Sequence, residues 1–254
     1  MPKTFELNQT DKQQKCTGCF SESIHLITDK IEICNPSNKY IDILIMITSF
    51  PQNKLSRNAM RDTWLRHTKN NTGNIRYDII LGSFKDAYNS LTFKTLMGFQ
   101  WANKRCPNAQ FVMKTDDDVY VHNPGLKKSH FGGRCQHIAS PVRDKRSKWY
   151  ASFDSYPEKT YPGYCSGTGY VTSLNVITKI VKISKSVPFF NLEDVFVALC
   201  IKKLVLRLNP ITGFMLAYDF VNCKNNDNKL VTIHQVSVSI LRRIWEIPCN
   251  ANKV

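Results

Sequence analysis

The run Ala109-Gln110-Phe111-Val112-Met113-Lys114-Thr115-Asp116-Asp117-Asp118-Val119-Tyr120 constrains this chain most. Its first five residues are mostly apolar and strand-forming, which predicts a buried strand in a mostly parallel sheet. Three carboxylates then stand at the strand's carboxyl end, where open α/β sheets hold their ligands. Side chains two apart share a face of extended backbone, so Asp116 and Asp118 are expected to point together and Asp117 away. Unneutralised, the three repel one another and call for a proton or a cation. Oxygen ligands suit a hard divalent cation, Mg²⁺ or Mn²⁺, often shared with phosphates. A solvated acidic turn or a helix N-cap would use the same residues. The apolar strand in front favours the metal–phosphate site.

The surrounding segments predict a sheet for that strand to join. Tyr40 to Ser49 is an apolar strand, and Asn53 to His67 a helix with Leu55, Ala59, Met60, Thr63 and Trp64 at helical spacing. Arg57, Arg61 and Arg66 fall mainly on its other side, either facing a nucleotide or lining a wet surface. Arg76 to Leu81 predicts a second strand, and Asn89 to Cys106 a helix that Pro107 closes. With the aspartate strand following, the order is β-α-β-α-β, the doubly wound pattern.

The second half carries further candidate chemistry. Residues 121–135 are loop-rich. Ser140 to Tyr150 is basic and ends in aromatics, and Lys148 with Trp149 could meet a diphosphate and a sugar, or form an exposed loop with an anchoring Trp. Tyr161 to Tyr170 holds Tyr164, Gly167 and Gly169; it lacks P-loop spacing, but its glycines let something approach the backbone closely. Val176 to Lys185 is an amphipathic helix. Glu193 and Asp194 open another, with Val195, Phe196, Leu199 and Cys200 on its buried side. Acids there act as caps and dipole partners, or supply a general base aimed into the cleft. Leu204 to Leu208 and Gly213 to Tyr218 are expected strands. Lys229 to Glu246 is expected to hold a short strand with His234, then a helix; a lone His in such a place is usually an ordinary core or surface residue.

Length allows one α/β domain, residues 40–250, after a stem-like segment, residues 1–39. The net charge of +15 favours anionic partners. Lys and Arg are scattered without any nucleic-acid signature, so nucleic acid is not expected. Nine cysteines include one C-x-x-C but no zinc-ribbon pair. They point to an oxidising compartment, several disulfides and, the count being odd, at least one leftover thiol. Sequons at Asn8 and Asn70 agree with a secretory route. The longest apolar run, Ile41 to Phe50, is too short to span a bilayer, and the start lacks a signal-peptide pattern. A chain of luminal character without a way in is expected to be a truncated form.

Taken together, RNAMRDTW (57–64), YNSLTFKT (88–95), FVMKTDDDVYV (111–121), SKWY (147–150), YPGYCSGTGYVTS (161–173) and LEDVFVALC (192–200) resemble, in order, the motifs of beta-1,3-galactosyltransferases. These belong to the inverting glycosyltransferase family 31, and the likeness covers roughly residues 40–247. The run 184–200 resembles the branch acting on GlcNAc or GalNAc termini. The resemblance implies a GT-A-type α/β fold, a Rossmann-like mostly parallel sheet flanked by helices. It further implies a UDP-galactose donor, a glycan acceptor on glycoprotein or glycolipid, a Mn²⁺ (or Mg²⁺) cofactor, and a membrane-anchored protein of the Golgi lumen. By position, Asp118 and His234 become metal ligands and Asp194 the catalytic base. Asp116, Asp117, Arg57, Arg61 and Lys148 fall to the donor site. Trp149, Tyr164, Gly167, Gly169 and Glu193 fall to the donor and acceptor cleft.

The chain departs from the family pattern in three places. Only 23 residues separate Trp64 from Tyr88, so the nucleotide-binding half is short. The loop after Asp118 is also short. Ala198 stands where the pattern E-D-V-x-x-G has glycine. Beside an active galactosyltransferase, the sequence therefore leaves open a beta-1,3-N-acetylglucosaminyltransferase and a catalytically inactive glycan-binding relative.

Overall fold

In the computed structural model, which describes residues 31–34, 40–69, 74–81, 90–122, 131–216 and 230–246, a six-stranded sheet carries the molecule. Its strands are β1 (Ile41–Thr48), β2 (Ile75–Ile80), β3 (Ala109–Asp116), β5 (Phe131–Gln136), β6 (Tyr164–Ser173) and β7 (Asn209–Pro210), in the order β2-β1-β3-β6-β5-β7. β1 pairs in parallel with β2 and β3, and β5 with β7; only β6 runs against its neighbours. The expected mostly parallel α/β sheet is present.

Both faces of this sheet are covered, which is why its strands read as continuous apolar runs. Ile43, Ile45 and Ile47 of β1 face a core shared with helices α1 (Lys54–Asp62) and α5 (Val238–Glu246). The same layer holds a small sheet of β4 (Tyr120–Val121), β8 (Phe214–Met215) and β9 (Thr232–Ile233), ordered β4-β9-β8. Leu44 and Met46 face the opposite core, built with α2 (Leu91–Arg105), α3 (Leu174–Ser184) and α4 (Glu193–Lys203). Ser173 caps α3, its side chain accepting from the Val176 amide.

The β1–β3 register pairs Ile41 with Ala109 at one pole of the sheet and Thr48 with Asp116 at the other. The Cys34–Cys106 disulfide ties a short 3-10 turn, Ile31–Cys34, to the end of α2 beside the first pole. The aspartates occupy the second, an eight-residue strand away, or about 25 Å. Cys135–Cys165 staples β5 to β6, and Cys200 is a buried free thiol whose pKa burial pushes up to about 12. Cys16, Cys19, Cys223, Cys249 and the sequons at Asn8 and Asn70 lie outside the described residues, as does most of the 1–39 segment.

Several expectations need correction. The helix expected over 53–67 ends at Asp62, and Trp64–Thr68 follows as a 3-10 turn. Thr63, Trp64 and Leu65 are all buried, and three consecutive residues cannot share one α-helical face. Leu55, expected on the apolar side, is 76% exposed. The loop expected over 121–135 contains β5. Its glycines misled the reading: a Cβ at Gly133 would stand 2.7 Å from the Gly169 carbonyl oxygen, so the residue is there to let β5 lie against β6. Leu204 to Leu208 is no strand. Leu204 ends α4, Val205 sits at φ 55°, and the Leu206 amide bonds back to Ile201, a hydrogen-bonded helix exit that takes the place of sheet pairing. The strand expected over 213–218 is confined to Phe214–Met215, and 217–218 lie outside the described residues.

Candidate active site

The first cluster forms where β3 ends. Asp116 accepts from the Thr48 hydroxyl (2.5 Å) and the Lys114 ammonium (2.7 Å), both on the same face of the sheet. After the turn, the Asp118 carboxylate lies 3.3 Å from Nε2 of His234. The His234 Nδ1 is 3.1 Å from the Leu216 carbonyl, which can only accept, so each ring nitrogen faces an acceptor; with Nδ1–H kept on that carbonyl, Nε2 is the nitrogen that could turn to a cation. Two backbone bonds fix this histidine: its own amide to the Met215 carbonyl, and the Val236 amide to the Asp118 carbonyl. Burial would lower the His234 pKa, but Asp118 outweighs it and the net direction is upward. Ligand atoms of Asp116, Asp118 and His234 all lie within 4.8 Å of one another. Two carboxylates and an imidazole fit a divalent ion such as Mn²⁺.

Asp117 takes no part in this triad. It lies in the turn just after β3 and faces the α1 side, where its Oδ2 accepts from Ser49 Oγ (2.6 Å) and Asn53 Nδ2 (3.0 Å). Burial raises its pKa, and these two donors oppose the rise. Arg57 belongs to the same knot. It is buried, and it donates to Ser49 Oγ (2.9 Å) and to the carbonyls of Phe50 (2.5 Å) and Pro51 (2.8 Å). It is not on a wet face: its guanidinium holds the turn after β1. Lys94, fully buried on α2, donates to the Ser49 carbonyl (2.9 Å) and caps the Phe50 ring at 4.8 Å. Arg61 is exposed and bonds Asn58 at 3.3 Å.

A second cluster stands at the N-terminus of α4. The Asp194 carboxylate accepts from the amides of Gly167 (3.2 Å) and Val195 (2.9 Å). Burial pushes its pKa above the ordinary carboxylate range, and the two amides oppose that push. Glu193 is buried, accepts from the Tyr170 hydroxyl at 2.6 Å, and lies 3.7 Å from the Lys114 ammonium. Its burial dominates, and its pKa rises to about 7. The closeness for which Gly167 is needed is now visible: a Cβ there would stand 2.8 Å from Glu193 Oε2. Gly169 backs onto the Phe214 ring, where a Cβ would make a 3.4 Å contact.

Tyr164 is half-buried beside Tyr161, and both burial and the Asp194 charge raise its pKa. Lys148 and Trp149 are exposed on the 140–150 loop, the ammonium 4.8 Å from the indole. That loop is shaped by Arg143, which donates to the carbonyls of Ala151, Ser152, Tyr156 and Glu158 and stacks under Phe153.

Sequence reasoning passed over Thr48, Lys114 and Tyr170, although all three touch the acidic residues. For Lys114 a signal existed: a lone cation inside a buried apolar strand needs a partner.

The galactosyltransferase family model matches residues 73–211. Beta-1,3-galactosyltransferase 1 of Mus musculus is 33% identical over 250 residues, covering 83% of this chain and 75% of the relative. Beta-1,3-galactosyltransferase 5 of Mus musculus is 35% identical over 242 residues, covering 80% and 78%. Among solved structures, a glycosyltransferase involved in glycosylation of the PBCV-1 major capsid superposes with a TM-score of 0.47 at 12% identity, over 81% of this chain and 98% of that one. With the family model covering more than half of its length, this chain belongs to the galactosyltransferase family, in the beta-1,3-galactosyltransferase group of glycosyltransferase family 31.

Proposed function

We propose that this protein is an inverting, metal-dependent transferase that moves galactose from UDP-galactose to the 3-hydroxyl of a GlcNAc- or GalNAc-type acceptor on glycoprotein or glycolipid. The observation that carries this reading is the pairing of two acidic clusters of different character at one end of the sheet. Asp116, Asp118 and His234 form a half-exposed donor set for a cation, and Asp194 is a carboxylate held by two backbone amides.

A bound Mn²⁺ would neutralise charge building on the leaving diphosphate. Asp118 and His234 would hold it, with Asp116 fixed by Thr48 and Lys114 toward the donor's ribose or sugar. Asp194 takes the proton of the acceptor's 3-hydroxyl as that oxygen's electron pair attacks the anomeric carbon. The bond from that carbon to the diphosphate oxygen breaks on the opposite face, and UDP departs with its electrons. One displacement inverts an α-linked donor into a β1,3 product. The two amides on Asp194 favour its ionised form, which a base requires.

A Golgi-lumen location accords with the family and with the two disulfides. Within the described residues, no helix is long and apolar enough to cross a membrane.

A second reading, a glycan-binding relative without turnover, is favoured by one observation. Only 23 residues separate Trp64 from Tyr88, a short interval for the nucleotide-binding half. The deciding experiment incubates the purified chain with UDP-galactose, Mn²⁺ and a GlcNAc-terminated acceptor, reading the product by NMR. The proposal expects a β1,3-linked galactose that EDTA abolishes. No product from a folded chain, with UDP-N-acetylglucosamine equally inert, would leave the binding relative standing.

A further inference from the structure

We propose that Lys114 is a positioning residue for this transfer, a buried cation that sets Asp116 of the metal cluster against the Glu193–Asp194 corner of α4. The inference rests on the transferase reading above and adds the part that joins its two clusters.

The geometry is that of a three-way junction. The Lys114 side chain is 2% exposed, and its Nζ reaches Asp116 Oδ1 at 2.7 Å, the Gly167 carbonyl at 2.5 Å and Glu193 Oε2 at 3.7 Å. Those partners come from three elements: the tip of β3, the middle of β6 and the first turn of α4. Gly167 is itself bonded to both sides of the junction. Its carbonyl accepts from Lys114, and its amide donates to the proposed base, Asp194. Lys114 is thus one residue from the base by hydrogen bonds and in direct contact with the metal cluster.

The register explains why a lysine can do this. Lys114 pairs with Tyr170 across β3 and β6, and both side chains face the α4 layer. Tyr170 fixes one oxygen of Glu193 at 2.6 Å, and Lys114 approaches the other. The ammonium donates hydrogen bonds to Asp116 and to Gly167, and its charge still reaches Glu193 at 3.7 Å. Without the cation, the Asp116 and Glu193 carboxyl groups and the Gly167 carbonyl lose the partner they share, and the tie between Asp116 and the α4 corner is gone. The separation of metal and base would then no longer be fixed, and displacement chemistry is sensitive to misplacements near 1 Å.

The test is Lys114→Met, which keeps length and removes charge, examined with Glu193→Gln and with the double variant. The transfer assay and calorimetric UDP–Mn²⁺ titration are run on each. The proposal expects K114M to lose at least about 100-fold in kcat, a clearly larger factor than its loss in UDP–Mn²⁺ affinity through Asp116. It also expects K114M/E193Q to be no slower than K114M, because the single changes break one shared junction. Wild-type kcat in K114M would overturn it, as would single losses that multiply independently in the double variant. Should K114M fail to fold, E193Q alone decides, since it removes one arm and leaves the others. A lowered kcat with unchanged UDP Kd supports the junction, and an unchanged kcat overturns it. A wild-type chain without any transfer would instead sink the transferase reading, which separates the two failures.

Discussion

The acids at the end of β3 and those at the start of α4 stand at the same end of one sheet, yet they are built oppositely. Asp116 and Asp118 are half-exposed and converge with a histidine, so their mutual repulsion is left for a cation to relieve. Glu193 is buried, and the α4 pair is met instead by protein donors: Tyr170, Lys114 and two backbone amides. The first arrangement is incomplete without a ligand and the second is nearly self-sufficient. Binding and proton transfer can therefore be separated by mutation.

The largest effect should come from the base. Asp194→Asn keeps the shape and the Gly167 contact but removes the proton acceptor. It should lower kcat by roughly 10²–10⁴-fold with UDP binding intact. Retained turnover in steady-state assays would remove Asp194 from its role. Because burial raises the Asp194 pKa, the acid limb of the wild-type pH–rate profile should also lie above the ordinary aspartate range.

The next effect is on stability. The Glu193 pKa is near 7 in the folded chain against about 4.3 for an unperturbed glutamate, so the folded state binds the extra proton between those values. Stability therefore falls as pH rises from about 4.3 toward 7, by on the order of 3 kcal/mol from this group. Glu193→Gln should flatten that slope in denaturant titrations of the metal-free protein. An unchanged slope would show that the corner is better solvated than its burial implies.

The smallest effect sharpens the contrast within the aspartate run itself. Asp117→Asn keeps the size while weakening the bonds to Ser49 and Asn53, and should cost about 1–3 kcal/mol of stability. Metal-dependent UDP affinity should stay within a few-fold. A loss of Mn²⁺ dependence in D117N would make it a ligand and not an anchor.

How much of this was legible in sequence follows from range. The apolar run placed the acidic cluster at a strand's end, but β3 stops at Asp116 and Asp117 and Asp118 lie in the turn after it, so Asp116 and Asp118 converge through that turn and not through strand alternation. Apolar runs bounded by turn residues located the strands β1, β2 and β3, and the motif order implied the family. The burial of Arg57 was not legible because helical spacing says which side a residue takes, not what the chain folds over that side; the 49–51 turn returns to bury it. The glycines of β5 read as loop because their partner, β6, lies some thirty residues on in sequence. Lys114 and Tyr170 escaped notice for the same reason. Each looks like an isolated polar group in a strand until β3, β6 and α4 are packed together.

The most direct test of the division of labour is calorimetric titration of UDP, with Mn²⁺ and then with EDTA, into the wild-type chain and Asp118→Ala. The account predicts binding to wild type that EDTA removes and that D118A lacks in either condition. Metal-independent binding of equal strength in both proteins would contradict it.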